Sequence, residues 1–179
     1  MSKINDTLVK SKLIGSYNFN NIAAAITIGK YFNIDTINIK NAIEAFVPKN
    51  NRSQIIEKAT NKIILDAYNA NPTSMEAALN NFEKLDNNKI VFLGDMFELG
   101  KESLEEHQTI VNLINQLEIN EAVFIGEHFF ECEITSKKTK KYKTFNSFKD
   151  DYNFSKIQHT NILIKGSRGM ALERVLDKL

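Results

Sequence analysis

The hydrophobic positions along the chain change their spacing near residue 50, and this change separates two kinds of predicted structure. Before that point, apolar residues recur every three or four positions in two segments, which predicts two amphipathic helices. Asn18 and Asp35 precede these patterns and are suitable N-caps, and Pro48 ends the second pattern. We therefore expect one domain in residues 1–47 and another in residues 48–179. The apolar faces comprise Ile22, Ala25, Ile26, Gly29 and Phe32 in the first helix, and Ile39, Ala42, Ile43 and Phe46 in the second.

After residue 50, short apolar runs alternate with helical patterns. Residues 54–56 and 62–65 flank Thr60-Asn61 and predict a short hairpin. Asn71 is a favourable N-cap, and Pro72 suits the first position of a helix with the apolar face Met75, Ala78, Leu79 and Phe82. The alternation predicts an α/β domain with a mostly parallel sheet flanked by helices. The other predicted strands cover 90–93, 122–125, 142–145 and 161–164, and the other predicted helices cover 103–117, a segment from 147, and 168–179.

Composition narrows the class of protein. The formal charge of the 179 residues is +1, whereas a nucleic-acid-binding protein usually carries a clear basic excess. A single cysteine, Cys132, excludes a disulfide within the chain and fits a reducing cytoplasm. No apolar run approaches the ~20 residues of a membrane helix, and the first twelve residues lack the apolar core of a signal peptide. We expect a cytoplasmic protein that binds neither nucleic acid nor a membrane.

Three polar or glycine-bearing segments follow predicted strands, at 66–71, 94–100 and 165–169. In open parallel sheets, ligands bind beyond the carboxyl ends of the strands. In the third segment, a helix beginning at Arg168 would offer free N–H groups and a guanidinium to an anion; the alternative is a capped helix with a surface arginine. For Asp95 and Glu98 in the second segment, two interpretations stay open. In one they form a paired-carboxylate site, and in the other they cap a helix or face solvent.

Several kinds of site have no support in the sequence. The segment 94–100 lacks the G-x-G-x-x-G spacing of a dinucleotide site, and neither a Walker motif nor a G-x-S-x-G elbow occurs in residues 1–179. His107, His128 and His159 show no zinc-ligand spacing, so no metal site is predicted in this chain.

Five polar stretches together resemble the MurF branch of the Mur ligase family. They are Gly-Ser-Tyr-Asn-Phe-Asn-Asn at 15–21, Asn-Arg-Ser at 51–53, Asp-Ala-Tyr-Asn-Ala-Asn-Pro at 66–72, Leu-Gly-Asp-Met-Phe-Glu-Leu-Gly at 93–100 and Lys-Gly-Ser-Arg-Gly-Met at 165–170. The resemblance implies an ATP-dependent ligase, with Mg²⁺, that joins D-alanyl-D-alanine to UDP-N-acetylmuramoyl-tripeptide in cell-wall synthesis. It also implies that residues 48–179 are a Rossmann-like C-terminal domain, and that residues 1–47 end a central ATPase domain.

The resemblance also implies roles for particular residues. Asn18 and Asn21 match the asparagines that hold the adenine ring, Asp66 the acidic residue that contacts the ribose, and Arg52 the arginine that reaches the phosphates. Arg52 and Asp66 are thus the expected catalytic residues of this chain. The dipeptide pocket is expected to be lined by Asn69, Asn71, Asp95, Glu98, Ser167 and Arg168. The sequence departs from many relatives at Tyr17 and Ala67, where those carry His and Ser.

The resemblance places the P-loop and the metal ligands upstream of Met1, so the chain is expected to be a fragment that is inactive alone, and to be monomeric. By resemblance, ATP converts the tripeptide carboxylate to an acyl phosphate, which the dipeptide amine attacks. Two alternatives stay open. One is a ligase similar to folylpolyglutamate synthase, and the other is a stand-alone binding module without catalysis.

Overall fold

A computed structural model of the chain describes residues 2–4, 7–13 and 18–179, and the chain divides into two compact units, Met1–Lys49 and Asn50–Leu179. In the first unit, strands β1 (Ser2–Ile4) and β2 (Thr7–Val9) pair antiparallel, and helices α1 (Asn18–Tyr31) and α2 (Thr36–Ala45) follow. The two helices were predicted from the period of their apolar residues. They pack closely because Gly29 carries no side chain where that of Ile39 approaches.

This unit differs from the prediction in several details. Strands β1 and β2 were not predicted. Phe32 and Phe46, assigned to the apolar faces of the two helices, lie beyond the ends of α1 and α2 and are exposed. Asp35 occupies the N-cap position of α2, but its side chain makes no capping hydrogen bond. Asn18 is the first residue of α1, and residues 14–17, which include Tyr17, lie outside the described part of the chain.

The second unit is built on one six-stranded sheet with the strand order β3-β4-β8-β5-β6-β7. Only β3 runs antiparallel to its neighbour, so the predicted α/β class with a mostly parallel sheet is confirmed. The strands are β3 (Gln54–Lys58), β4 (Asn61–Asp66), β5 (Asn88–Gly94), β6 (Glu121–Ile125), β7 (Thr139–Tyr142) and β8 (Thr160–Lys165). The helices are α3 (Pro72–Phe82), α4 (Ser103–Gln116), α5 (Glu127–Glu131) and α6 (Phe145–Asp151).

Alternating residues of the strands face two layers, as the pleat of a sheet requires. On one face, Phe92 and Ile164 pack with Phe148 of α6 and Val175 of the C-terminal segment. On the other face, Phe124 stacks on Phe129 of α5 with ring centroids 4.5 Å apart. Burial on both faces explains the continuous apolar runs of the central strands. Among the residues that the structure describes, no helix combines the length and the apolarity needed to cross a bilayer.

Three elements differ from the prediction for physical reasons. The strand expected at 142–145 ends at Tyr142, because Thr144 caps α6 by accepting the backbone N–H of Ser147. The helix expected at 168–179 is instead two 3₁₀ segments, Arg168–Met170 and Leu172–Lys178, because Ala171 between them adopts left-handed backbone angles with φ 48°. Helix α5 was not predicted, since its five residues are too few to show a hydrophobic period.

Candidate functional site

The three polar segments singled out in the sequence meet at one edge of the sheet. Strand β8 lies between β4 and β5, and all three are parallel, so their carboxyl ends are adjacent. Lys165 is the register partner of both Asp66 on β4 and Leu93 on β5. The loops that follow Asp66, Gly94 and Lys165 therefore form one surface beyond the strand ends, where open parallel sheets bind ligands.

A buried ion pair joins two of these loops. The Lys165 ammonium lies 2.6 Å from Oδ2 of Asp66, with 2% of the lysine side chain and 16% of the aspartate side chain exposed. The same ammonium lies 3.3 Å from the backbone carbonyl oxygen of Asn69. The other Asp66 oxygen, Oδ1, accepts the backbone N–H of Ser53 at 2.9 Å. Because a carboxylate offers about four acceptor positions, Asp66 retains capacity for a ligand hydroxyl.

Arg52 is an exposed residue next to Ser53, which binds the cluster formed by Asp66 and Lys165. Its guanidinium carbon sits 3.6 Å from the centroid of the Tyr68 ring, a cation–π contact between two exposed side chains. Tyr68 belongs to the loop that follows Asp66, so the structure brings Arg52 and Asp66 to the same end of β4.

Asp95 is buried, and its carboxylate faces the start of α5. Its Oδ2 accepts the backbone N–H of His128 and its Oδ1 that of Phe129, each at 3.0 Å. Gly126, at φ 137°, passes against this carboxylate where a side chain would overlap it. The structure thus favours the capping alternative for Asp95 over the paired-carboxylate site. Glu98 has φ 68° and is exposed to solvent, whereas Asp95 is buried.

His107 is hydrogen-bonded to the backbone of the loop that contains Asp95. Its Nε2 accepts the backbone N–H of Met96 at 3.0 Å, and its Nδ1 lies 2.6 Å from the carbonyl oxygen of Ser103. The ring is therefore neutral with the proton on Nδ1. Burial lowers the pKa of His107, which keeps it in this form. The sequence contained a signal for this role, because position 107 continues the buried stripe Ile110, Val111 and Ile114 of α4.

The loop after β8 is hydrogen-bonded to the loop after β5. Ser167 is buried, its Oγ accepts the backbone N–H of Phe97 at 2.8 Å, and its own N–H donates to the carbonyl oxygen of Asp95 at 3.1 Å. Arg168 has 61% of its side chain exposed and contacts Glu173 at 3.2 Å. Arg168 opens a three-residue 3₁₀ turn, so the prediction of an α-helix beginning at Arg168 is wrong. The anion site expected there then depends on the guanidinium and not on the N-terminus of an α-helix.

The two asparagines of the first loop have local partners. The Asn69 side chain is exposed and accepts the backbone N–H of Ala70 at 2.9 Å. Asn71 caps α3 by accepting the backbone N–H of Ser74 at 2.8 Å, as predicted. Each amide therefore uses its oxygen within the loop and keeps its NH₂ group as a donor.

In the first unit, Asn18 and Asn21 lie one helical turn apart, and the Asn21 amide donates to Oδ1 of Asn18 at 2.9 Å. Asn21 also lines a cavity of about 330 Å³ whose other walls are apolar: Leu13, Ile22, Ala25, Ala42, Ile43 and Phe46. An apolar cavity with one polar group in its wall has the composition of a small-molecule site.

Comparison with known proteins identifies the family of this chain. The family model described as Mur ligase, glutamate ligase domain matches residues 51–168. The chain belongs to the Mur ligase family. It is 35% identical, over 172 residues, to the UDP-N-acetylmuramoyl-tripeptide–D-alanyl-D-alanine ligase of Buchnera aphidicola subsp. Baizongia pistaciae. That match covers 93% of this chain and 37% of the relative, so the chain spans well under half of that protein.

Two solved structures of MurF ligases share the fold of this Mur ligase chain. MurF from Acinetobacter baumannii is 26% identical with a TM-score of 0.82, over 96% of this chain and 39% of that one. MurF from Thermotoga maritima, solved in complex with ADP, is 23% identical with a TM-score of 0.78, over 97% and 40%. The second likeness concerns the fold alone. The resemblance to the MurF branch expected from the polar stretches is confirmed.

Sequence reasoning missed two side chains of the site in this Mur ligase. Lys165 was quoted as part of a stretch but given no role, because its partner Asp66 is 99 residues away along the chain. Tyr68 likewise had no assigned role, because a stack on Arg52 depends on how the hairpin β3–β4 folds back.

Proposed function

We propose that this chain supplies the acceptor-dipeptide domain and part of the nucleotide site of a MurF-type ligase. The single observation that carries the proposal is the meeting of the loops after β4, β5 and β8 around the Asp66–Lys165 pair, in a chain of this family. The proposed reaction is the ATP-dependent joining of D-alanyl-D-alanine to UDP-N-acetylmuramoyl-tripeptide, which is the activity in the name of the Buchnera relative.

We propose nucleotide contacts for residues of each unit. Asp66 would accept the ribose hydroxyls with its remaining lone pairs, and Arg52 would meet the phosphates with its guanidinium N–H groups. Asn18 and Asn21 would bind the adenine edge beside the apolar cavity of the first unit. We also propose that this unit, Met1–Lys49, is the end of a central ATP-binding domain.

Magnesium has no assigned ligand in this chain. Among the residues that the structure describes, there is no group of three or more His, Cys, Asp or Glu side chains able to hold a metal ion. Of the carboxylates near the site, Asp66 is paired with Lys165 and Asp95 accepts backbone N–H groups of α5. We therefore derive no step through the metal from these residues.

The acceptor dipeptide carries a carboxylate and an amine, and the loop surface offers groups of both complementary kinds. Arg168 can form a bidentate bond to the carboxylate, because its ion pair with Glu173 is a solvent-exposed contact of small energy. Asn69 and Asn71 keep donor groups, and Glu98 presents a carboxylate. Asp95 and Ser167 would act through the backbone that they hold in place.

In the proposed reaction, the terminal carboxylate of the tripeptide takes the γ-phosphoryl group of ATP, which gives an acyl phosphate and releases ADP. The dipeptide amine attacks that carbonyl carbon, loses a proton, and phosphate leaves to yield the amide. Phosphoryl transfer of this kind depends largely on positioning and charge neutralisation. The contribution of this chain is to hold the amine, and to place the Arg52 charge near the phosphates.

A ligation assay tests the proposal, with UDP-N-acetylmuramoyl-tripeptide, ATP and a polypeptide in which residues 1–179 follow a P-loop domain, because the 179-residue chain alone is expected to be inactive. With D-alanyl-D-alanine as acceptor we expect an ATP-dependent amide product, and with L-glutamate we expect none. Product with L-glutamate, and none with the dipeptide, would favour the alternative similar to folylpolyglutamate synthase.

Arg168→Gln should raise the KM for the dipeptide, because it removes the bond to the carboxylate. The matched control is Lys137→Gln, which removes one positive charge from another exposed side chain. An unchanged dipeptide KM for Arg168→Gln would rule out a direct contact.

A further inference from the structure

We propose that Tyr68 is a positioning residue that holds the Arg52 guanidinium flat and leaves its N–H edge open to an oxyanion. This inference rests on the proposed function, in which Arg52 meets the phosphates. The observation is the stack itself, with the guanidinium carbon 3.6 Å from the centroid of the Tyr68 ring. Stacking engages the face of the guanidinium, whereas its five N–H donors point outward in the plane.

A second arginine of the chain shows what a purely structural stack looks like. Arg174 lies over the Phe145 ring at 4.0 Å. Its Nε donates to the carbonyl oxygen of Ala171 at 2.9 Å, and its terminal nitrogen donates to that of Met170 at 3.0 Å. By contrast, Arg52 donates no hydrogen bond to any residue in the described ranges. The two stacks share a geometry, but only that of Arg52 leaves donors for a ligand.

Both partners of the Arg52–Tyr68 stack are anchored to one carboxylate. Ser53, next to Arg52, donates its backbone N–H to Oδ1 of Asp66. On the other side, Tyr68 lies two residues after Asp66, and the following carbonyl, that of Asn69, contacts the Lys165 ammonium. The backbone on both sides of the stack is therefore fixed to the end of β4, and the stacked guanidinium has a defined place relative to Asp66.

The chemistry selects an anion that presents two oxygens to the edge of the guanidinium. A guanidinium held flat presents paired donors that match two oxygens of a phosphate or carboxylate. Lys165, the other cation of the cluster, is buried and bonded to Asp66, so it cannot reach a ligand beyond the loop surface. Inorganic tripolyphosphate is a suitable probe, because it carries the charge of a nucleotide tail and lacks the base and the ribose.

The stack can be tested without any ligand. Protons that lie over the face of an aromatic ring resonate upfield, so NMR of the Arg52 side chain in the 179-residue chain should show this shift. Tyr68→Phe keeps the ring and should keep the shift, whereas Tyr68→Leu should abolish it. Phe145→Leu is the matched control, since it should move the Arg174 signals and leave those of Arg52 unchanged.

Titration with tripolyphosphate at low salt then tests the positioning role. We expect Tyr68→Leu to weaken binding about two- to fivefold, the effect of losing an exposed cation–π contact, and Tyr68→Phe to bind as the parent chain does. Arg52→Gln should abolish most of the binding, and Phe145→Leu should leave it unchanged.

The outcomes separate the inference from the function on which it rests. An Arg52 signal that is not shifted, or that is unaffected by Tyr68→Leu, overturns the stack. A shifted signal with equal tripolyphosphate affinity in Tyr68→Leu and the parent chain overturns the positioning role. If Arg52→Gln binds tripolyphosphate as well as the parent chain, the phosphate contact in the proposed function fails although the stack stands.

Discussion

Replacing Lys165 with Met should destabilise the second unit strongly, because it removes one half of a buried ion pair. Methionine fills most of the volume of the lysine side chain, so packing is largely preserved and the charge is the main change. The variant leaves the Asp66 carboxylate without the ammonium that now lies 2.6 Å away. It also leaves the Asn69 carbonyl without that donor.

The size of the effect follows from the burial of the two partners. Breaking a buried pair by removing one partner costs roughly 3–5 kcal/mol. The lower end applies here, because 16% of the Asp66 side chain is exposed and Ser53 still donates to it. We therefore expect a loss of about 3 kcal/mol in the free energy of unfolding. The double variant Asp66→Asn/Lys165→Met should recover part of this loss, since no unpaired charge remains.

Urea unfolding followed by far-ultraviolet circular dichroism measures the loss, since the chain has no tryptophan for fluorescence. With a slope of about 2 kcal/mol per molar urea, the transition midpoint should fall by roughly 1.5 M. Two results together would refute this reasoning. They are a loss below about 1 kcal/mol for Lys165→Met, and a double variant whose loss equals the sum of the losses of the two single variants. The ammonium would then add nothing to the packing of the lysine methylene groups.

Two further changes test how the loop after β5 is held. Burial lowers the pKa of His107 in the folded state from its ordinary 6.5, so the unfolded chain binds the proton more readily. The parent chain should therefore lose free energy of unfolding as pH falls below about 6.5. His107→Gln should reduce this dependence on pH, because it removes the titrating group. Gly126→Ala should cost more than about 2 kcal/mol, because its φ of 137° is strained for any side chain and the added methyl overlaps the Asp95 carboxylate.

Both predictions have internal controls. Urea midpoints measured between about pH 7.5 and 5 test the first, and equal pH slopes for His107→Gln and the parent chain would contradict it. For the second, Gly100→Ala is the matched variant, because its φ of 59° is also positive but nothing lies within 4 Å of the added methyl. Equal losses for the two glycine variants would show that the Asp95 contact is unimportant.

Local patterns sufficed for much of the fold. The apolar stripes of α3 and α4 and the buried central strands follow from hydrophobic period, and the Asn71–Pro72 start of α3 follows from capping chemistry. Strand β7 was misplaced because its Thr-Lys-Lys-Tyr sequence, at the sheet edge, has no buried period. Its position is set by backbone pairing with β6, which a local pattern does not show.

The candidate site was predictable in place but not in detail. That the three polar loops share one edge follows from parallel strands. Which side chains face a ligand depends on distant partners, and Asp95 shows this best: its carboxylate caps a helix that starts 32 residues later, at Glu127. Lys165 and Tyr68 went without roles for the same reason, since their partners come from other strands and turns.

Titration of the isotopically labelled 179-residue chain with D-alanyl-D-alanine, followed by backbone and side-chain NMR, tests the central claim most directly. Weak binding is measurable in this way, and L-alanyl-L-alanine and L-glutamate are the matched ligands. We expect D-alanyl-D-alanine to shift the signals of the loops after β4, β5 and β8, with Arg168 among them, more strongly than either matched ligand. Preference for L-glutamate, or no shift in these loops at saturating dipeptide, would contradict the assignment of the acceptor site to this chain.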